Sequence, residues 1–404
     1  MAIDVRSTRD LDEFTAALFA IGQYFAMVPT EERVQRFIDQ IGLERMHAAW
    51  SDGTVVGGAG AFTFNLSVPG GDLPTAGVTV VGVYPTHRRR GVLRALMRAQ
   101  LDDAHERGEP LAALWASEET IYGRFGYGLA SFCGEISLPR EYASFTQAVE
   151  PEGTLRFLQP EDVLETIPPV FERVRAQWPG MFSRNELWWK NRELDDSDEQ
   201  REGAGPKRWI AYERDGSVEG YAVYRHRPGF EQGTTTAELR VLEALGATPA
   251  ALRDLWGYLL AIDWFAAIKS YLIPPDHPLF LLLATPRRAR YRMGDALWVR
   301  LVDIGPALSG RQYSAEGSIV FEVADDFCPW NEGRWKLAEG VAARTSEEPD
   351  LKLPVQSIGS AFLGGVSFAA LARAGRVEEL RDGAVRRADA LFRWDRHPWC
   401  PEIF

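Results

Sequence analysis

Hydrophobic and polar residues alternate in some segments of the chain and follow helical spacing in others. A largely β-branched run at 78–83 stops before Pro85, which predicts a strand followed by a turn. After Gly91, apolar residues at 92, 93, 96, 97, 101 and 104 have the spacing of one helix face. A second apolar run at 111–116 predicts another strand. This part of the chain is therefore predicted to be a strand, a loop, a helix and a strand.

The same two spacings predict elements on either side. Asp10 with Glu13 predicts a capped helix start, and strands follow around turns at Gly53 and Gly71. Further strands are predicted at 209–213, 220–225, 237–242, 296–302, 317–323 and 333–337. Further helices are predicted at 249–260, 355–374 and 384–392. The patterns therefore predict a mixed α and β fold.

The length of 404 residues exceeds one ordinary hydrophobic core, so more than one domain is expected. Pro139, Pro151 and Gly153 bracket a predicted linker. We expect domains at 1–148, 149–295 and 296–404. Within the second, the charged run 195–207 predicts an exposed loop.

Charge and composition narrow the classes of partner that the sequence allows. The formal net charge of −12 argues against nucleic acid and is compatible with cationic substrates. Cys133, Cys328 and Cys400 are far apart, and the six histidines lack ligand spacing, so neither a disulfide framework nor a metal is expected. We find no N-terminal leader and no apolar run long enough to span a bilayer, so we expect a cytoplasmic protein.

The turn between the predicted strand and helix is suited to an anion. The first turn of a helix has backbone N–H groups without intrahelical partners and the positive end of the helix dipole. Gly91 allows a phosphate to approach the backbone, and Arg88, Arg89 and Arg90 add charged donors. A pyrophosphate fits such a loop, although an arginine-rich turn is also compatible with an ordinary solvated surface.

Three motifs resemble those of a known enzyme family. They are residues 86–93, residues 116–128 and the terminal residues 402–404. The first, with Arg88 and Gly91 after a strand, resembles the pyrophosphate loop of the general-control-related N-acetyltransferase (GNAT) superfamily, which binds acetyl-coenzyme A. That superfamily commonly has Gly or Ala where this chain has Leu93. An aliphatic residue there is typical of the enhanced intracellular survival (Eis) family, which the chain resembles over its whole length.

The resemblance implies an architecture of two tandem GNAT-like folds followed by a sterol-carrier-like α+β domain. It also implies a homohexamer. The turn at 244–249 in the second fold has no arginine cluster, so we expect that fold to be a scaffold that does not bind pyrophosphate. The segment 399–404 is too apolar for a disordered end, and we expect it to be docked.

The resemblance also implies the site. A bulge is expected at 81–83, where the strand would pair with the pantetheine arm and its backbone near Val83 would polarise the acetyl carbonyl. The implied cofactor-binding residues are Val81, Gly82, Val83, Arg88, Arg89, Arg90, Gly91, Val92, Leu93, Arg94, Ser117 and Glu118. Tyr122 is implied as the general acid, with core packing as the alternative. An amine with a pKa of about 10.4 needs a base at neutral pH, and the family's base is the terminal carboxylate, here that of Phe404.

Three functions remain open from the sequence. The first is acetylation of polycationic amines such as aminoglycosides, and the second is acetylation of a protein lysine or N-terminus. The third is a non-catalytic lipid carrier or scaffold. Phe25 and Phe37 could flank an acceptor amine, although amphipathic core helices have the same pattern.

Overall fold

We describe residues 3–24, 28 and 30–404 of a computed structural model of the chain. The chain forms two compact units. The first is drawn from residues 1–131, 296–398 and 402–404, and the second from residues 132–295 and 399–401. Phe25 lies outside the described residues.

The first third of the chain alternates strands and helices. Its strands are β1 (Asp4–Ser7), β2 (Met46–Ser51), β3 (Thr54–Val68), β4 (Gly71–Val83), β5 (Leu111–Trp115) and β6 (Gly128–Leu129). Its helices are α1 (Leu11–Tyr24), α2 (Glu31–Ile41), α3 (Val92–Glu106) and α4 (Glu119–Tyr122). The predicted strand, loop, helix and strand are confirmed as β4, the arginine turn, α3 and β5.

Helix α1 begins as the sequence predicts and lies very close to the sheet. The Oδ1 atom of Asp10 accepts a hydrogen bond from the backbone N–H of Glu13 at 2.9 Å, which caps the helix. A Cβ atom on Gly82 of β4 would lie 2.6 Å from the Cα atom of Ile21. Gly82 therefore permits contact between the backbones of α1 and β4.

The middle of the chain repeats the alternation. Its strands are β7 (Phe132–Pro139), β8 (Thr154–Leu158), β9 (Arg208–Arg214), β10 (Ser217–Arg227), β11 (Phe230–Glu231), β12 (Thr234–Thr235), β13 (Glu238–Gly246), β14 (Ala267–Ile273) and β15 (Arg292–Asp295). Its α-helices are α5 (Pro160–Arg175), α6 (Glu186–Trp188), α7 (Asp198–Arg201), α8 (Pro249–Ala261) and α9 (Leu279–Leu282). The main sheet of this unit has the order β15-β7-β14-β13-β10-β9-β8.

The charged run at 195–207 is more ordered than an exposed loop. It contains helix α7, and the carboxylate of Asp196 pairs with the buried Arg225 and with Arg201 at 3.2 Å. The prediction of an exposed loop omitted helix α7 and the ion pair with Arg225, which lies outside the run and cannot be read from its composition.

The last part of the chain contains strands β16 (Leu297–Leu301), β17 (Ser318–Ala324), β18 (Gly333–Ala338), β19 (Val341–Arg344), β20 (Leu351–Pro354) and β21 (Glu378–Glu379). Its helices are α10 (Ile304–Ser309), α11 (Val355–Ala361), α12 (Phe368–Arg373) and α13 (Ala384–Phe392). Strand β16, which the sequence grouped with the last domain, pairs with β5 and β6 and completes the sheet β1-β2-β3-β4-β5-β16-β6. The remaining five strands form a separate sheet, β19-β18-β17-β20-β21.

The helix predicted at 355–374 is two helices. Gly364 has a φ of +89°, a left-handed conformation that interrupts a helix, and the side chain of Ser367 then caps α12 by accepting from the N–H of Ala370 at 3.1 Å. Apolar spacing alone does not reveal such a break.

None of the described helices has the length and apolar character needed to cross a membrane.

Candidate active site

Strands β4 and β5 pair over three residues each and then separate. Their parallel pairing covers only Thr75–Gly77 of β4 and Leu111–Ala113 of β5. Both strands continue past this point, so backbone groups of β4 beyond Gly77 face a gap instead of a neighbouring strand. A gap of this kind can receive an extended ligand through backbone hydrogen bonds.

A bulge in β4 accompanies this separation. Gly58 of β3 pairs with Gly82 and Gly60 pairs with Thr79, so two residues of β4, Val80 and Val81, lie opposite one residue of β3. Val80 has a φ of +45°. The bulge overlaps the expected 81–83 only at Val81, and Gly82 instead permits the close approach of helix α1.

The gap opens into a cavity of about 170 Å³. Four of the predicted site residues line it together: Val81, Ser117, Tyr122 and Phe404. The rest of the described lining comes from Leu18, Ile21, Gly22, Arg33, Phe37, Val78, Thr79, Val80 and Trp115. The cavity therefore joins the end of β4, helices α1 and α2, and the last residue of the chain.

Tyr122 is the last residue of the four-residue helix α4. It is 6% exposed, and its ring meets the ring of Tyr127 edge-on, with centroids 6.0 Å apart. Burial raises the pKa of Tyr127, so this neighbouring phenol stays protonated. Tyr122 is therefore packed in the core, as the alternative to a catalytic role expects, and it also lines the cavity.

The terminal residue is held by its ring. Phe404 packs edge-on against Phe64 and Phe62, with centroid distances of 5.3 Å and 6.4 Å. Glu402 is buried and Phe404 is half-buried. The prediction that the chain end is docked is confirmed, and Phe404 lines the same cavity as Tyr122.

The arginine turn has the geometry of an anion site. Gly91 caps helix α3 with a φ of +86°, and a Cβ atom there would have no heavy atom within 4 Å. Arg88, Arg89 and Arg90 are exposed. The backbone at the start of α3 is therefore open to a ligand, with three guanidinium groups beside it in sequence.

The other predicted cofactor residues have different surroundings. Val92 is buried and Leu93 is half-buried, and Val83 packs against the same apolar cluster as Val92, so their side chains serve the core. The guanidinium of Arg94 lies over the ring of Phe327, 5.0 Å from its centroid. Glu118 precedes α4 and is exposed.

Sequence reasoning missed Thr79, Trp115 and Arg33. Thr79 and Trp115 stand in the strands that were predicted, and extending the bulge argument by a few residues would have found them. The indole N–H of Trp115 is buried and has no acceptor among the described residues. Arg33 lies on helix α2 and has no sequence signal that separates it from an ordinary surface arginine. Phe37, suggested as an acceptor flank, does line the cavity.

Comparison with known proteins identifies the class. Residues 4–130 and residues 180–301 each match a family described as an Acetyltransferase (GNAT) domain. Residues 304–401 match a Sterol carrier protein domain. The fold and the site therefore define a GNAT acetyltransferase, and the predicted order of two GNAT folds and a sterol-carrier-like domain is confirmed.

Individual relatives narrow the class to a family. An uncharacterized N-acetyltransferase of Streptomyces avermitilis is 44% identical over 370 residues, which cover 89% of this chain and 90% of that protein. N-acetyltransferase Eis of Mycobacterium tuberculosis is 35% identical over 356 residues, 84% of each chain. The crystal structure of Eis1 from Mycobacterium abscessus superposes with a TM-score of 0.87 at 31% identity and covers 99% of this chain and all of that one. The chain belongs to the Eis family of N-acetyltransferases.

Enzymes of this class transfer an acetyl group from acetyl-CoA to an amine, and the residues here fit that cosubstrate. The gap beside β4 offers unpaired backbone, the indole N–H of Trp115 lacks an acceptor, and the start of α3 is open at Gly91. A pantetheine arm has carbonyl and amide groups for the first two, and a pyrophosphate suits the third. No group of three or more His, Cys, Asp or Glu side chains in the described part of the chain is placed to hold a metal ion.

Proposed function

We propose that the protein acetylates a primary amine directly from acetyl-CoA, with Tyr122 as the general acid and the carboxylate of Phe404 as the general base. One observation carries the proposal: both residues line a single cavity at the end of the splayed strand β4. When bound, acetyl-CoA supplies an activated acetyl group as a thioester.

The carboxylate must remove a proton from a much weaker acid. An alkyl ammonium has a pKa of about 10.4 and a chain-terminal carboxyl about 3.5, so complete transfer before reaction is uphill by roughly 9 kcal/mol. The ammonium first loses one proton to water, because only the neutral amine can attack, and the nitrogen then becomes strongly acidic as its bond to the acetyl carbon forms. We therefore propose that Phe404 accepts the proton late, and that its docked ring fixes the carboxylate for that moment.

Tyr122 has the easier proton transfer. A phenol with a pKa of about 10 gives its proton to a thiolate whose conjugate thiol has a pKa of about 8.5, which costs roughly 2 kcal/mol at reference values. Tyr122 is well placed for this because it lines the cavity beside the end of β4, where the thioester would lie.

We propose polycationic small molecules, with aminoglycosides as the first class to test, as acceptors. A cavity of about 170 Å³ is small for a whole ligand of that size, so one amino group would enter while the rest stays outside. Arg33 is the one charged side chain in the described lining, so attraction of a polycation would come from the net charge of −12. A protein lysine, which also presents a single amine on a thin stem, is the second candidate.

Release of free coenzyme A thiol, followed with aminoglycosides and with lysine peptides as acceptors, tests the proposal. We expect thiol release above background with aminoglycosides and weak release with peptides. The reverse preference would move the assignment to protein lysines. If neither class gives thiol release while the enzyme still binds acetyl-CoA, the result would contradict both acceptor classes.

A further inference from the structure

The second unit retains the splayed strands of the first. Its strands β13 and β14 pair in parallel over 238–241 and 267–270 and then separate, as β4 and β5 do. Val223 of β10 pairs with Glu243 and Tyr224 pairs with Val241, so Leu242 is an extra residue in β13. The second unit therefore has its own bulge and its own gap.

This second gap is filled by the protein's own chain. Trp399 and Pro401 line it together with Leu242–Ala244 of β13 and Ser270–Ile273 of β14. The remaining space is about 20 Å³, the size of a single water molecule, compared with about 170 Å³ in the first unit. The segment 399–401 thus occupies the place that a ligand would take in the first unit.

Trp399 is bound there by both its backbone and its side chain. Its indole N–H donates to the carbonyl of Leu272, which the separation of the strands has exposed, and its backbone N–H donates to the carbonyl of Pro179 at 2.8 Å. Its ring packs edge-on against Trp178 with a centroid distance of 5.2 Å. Trp399 is only 6% exposed and Cys400 is fully buried.

The binding of Trp399 also depends on a glycine. Gly180 has a φ of +101°, and a Cβ atom there would lie 2.7 Å from the carbonyl oxygen of Trp399. We call the place where Trp399 binds, formed by Trp178, Pro179, Gly180 and Leu272, the seat of Trp399. A residue larger than glycine at position 180 would block it.

We propose that Trp399 is a positioning residue for the acetyl transfer. Residues 399–401 belong to the second unit and residues 402–404 to the first, so the tail is attached at both ends. Five residues of extended chain span at most about 17 Å, so a bound indole of Trp399 limits how far the carboxylate of Phe404 can reach. The vestigial gap anchors the tail, and the anchor fixes how far the carboxylate reaches. This inference rests on the proposed role of Phe404 as the base.

Replacement of the anchor, Trp399→Ala, is the first test. We expect kcat at pH 7 to fall about tenfold or more, while KM for acetyl-CoA changes less than about twofold. The difference from the natural enzyme is expected to shrink toward pH 10, where hydroxide can accept the proton that the nitrogen loses as its bond to the acetyl carbon forms. Trp399→Phe, which keeps a ring against Trp178, is expected to restore part of kcat. Equal kcat values for the natural enzyme and Trp399→Ala would overturn the proposal.

Carboxypeptidase A supplies a readout that does not depend on activity. We expect it to release Phe404 from Trp399→Ala about tenfold faster than from the natural protein. Leu259→Ala is the matched control, because Leu259 is fully buried in a different apolar cluster of the second unit. Equally fast release from Leu259→Ala would mean that Trp399 only stabilises the unit, and would overturn the proposal.

Insertion of one glycine between Pro401 and Glu402 tests the register directly. Both ends of the tail remain intact, so a slack tail would tolerate the insertion, whereas an anchored tail loses kcat about tenfold or more. Full activity of the insertion variant would contradict the anchor. Deletion of Phe404 separates the two hypotheses: unchanged kcat in that variant would refute the base, while carboxypeptidase release from the Trp399 variants would still report on the anchor.

Discussion

Tyr122 owes its position to a short helix and to the ring of Tyr127 beside it. Helix α4 ends at Tyr122, and the two rings meet edge-on. The phenolic oxygen is the only difference between tyrosine and phenylalanine. Removal of that atom therefore tests acid catalysis with little change in packing.

We expect Tyr122→Phe to lower kcat about 100-fold or more, with KM for acetyl-CoA within about twofold of the natural value, because general acids contribute about 100 to 10,000-fold. Steady-state kinetics at several acetyl-CoA concentrations measures both constants. Tyr127→Phe is the matched control, because the buried hydroxyl of Tyr127 has no hydrogen-bond partner among the described residues and its loss should leave kcat unchanged. An unaltered kcat in Tyr122→Phe would remove its acid role.

Gly82 allows a second prediction at the residue scale. In Gly82→Ala the new methyl group meets the backbone of Ile21 at 2.6 Å, so helix α1 must shift from the sheet. We expect the free energy of unfolding to fall by about 1–3 kcal/mol. Gly71→Ala in the same strand is the control, since its Cβ atom would have only the carbonyl oxygen of Gly310 near it, at 3.8 Å. Urea unfolding compares the two, and equal stabilities would refute the close contact.

The elements that the sequence predicted well are those whose pattern is local. The apolar spacing of α3, the cap of α1 at Asp10 and the proline that begins α8 each act within one or two turns, so they can be read without knowing the fold. Features that depend on distant partners could not be read. The position of the bulge follows from pairing between β3 and β4, and β16 joins β5 from nearly 200 residues away.

The candidate site divides in the same way. Gly91, Tyr122 and Phe404 stand in recognisable motifs, and the structure places two of them in one cavity. Arg33 and Trp115 reach that cavity only because α2 and β5 fold beside the bulged strand. The seat of Trp399 needs Gly180 and Leu272, which no short motif connects.

The loop between β14 and α9 gives a prediction at the element scale. Burial lowers the pKa of His277 to about 4, and its Nδ1 atom accepts a hydrogen bond from the N–H of Leu279 at 3.1 Å. In the unfolded chain the pKa is about 6.5, so the unfolded state binds the proton first as the pH falls. The contribution of neutral His277 is therefore complete above pH 6.5 and is lost between pH 6.5 and 4, about 3 kcal/mol in all.

His277→Asn isolates that contribution, because asparagine can accept the same hydrogen bond and does not titrate in this range. We expect the urea midpoint of the second unit to fall less between pH 7 and pH 4.5 in the variant than in the natural protein. Unfolding curves at the two pH values provide the comparison. The same pH dependence in both proteins would show that His277 is not held neutral by burial.

At the scale of the whole molecule, the two GNAT folds differ in what their gaps contain. The first keeps its gap open beside a glycine and three arginines, and the second has no arginine cluster in the corresponding turn and fills its gap with residues 399–401. The sequence predicted a scaffold role for the second fold from the missing arginines. That role stays a prediction, and the structure shows that the second unit binds Trp399 of the tail that ends at Phe404.

The central claim is that the last carboxylate of the chain is the base, and Cys400 makes a direct measurement accessible. Residues 1–399, prepared as a thioester, can be ligated to the synthetic pentapeptide Cys-Pro-Glu-Ile-Phe with either a free carboxylate or an amide at its end. The two products have identical side chains and differ only in the terminal charge. At pH 7 we expect the kcat of the amide to be at least about 100-fold lower than that of the acid, with an unchanged KM for acetyl-CoA. The difference in kcat is expected to become smaller toward pH 10. Equal kcat values for the acid and the amide across this pH range would contradict the account.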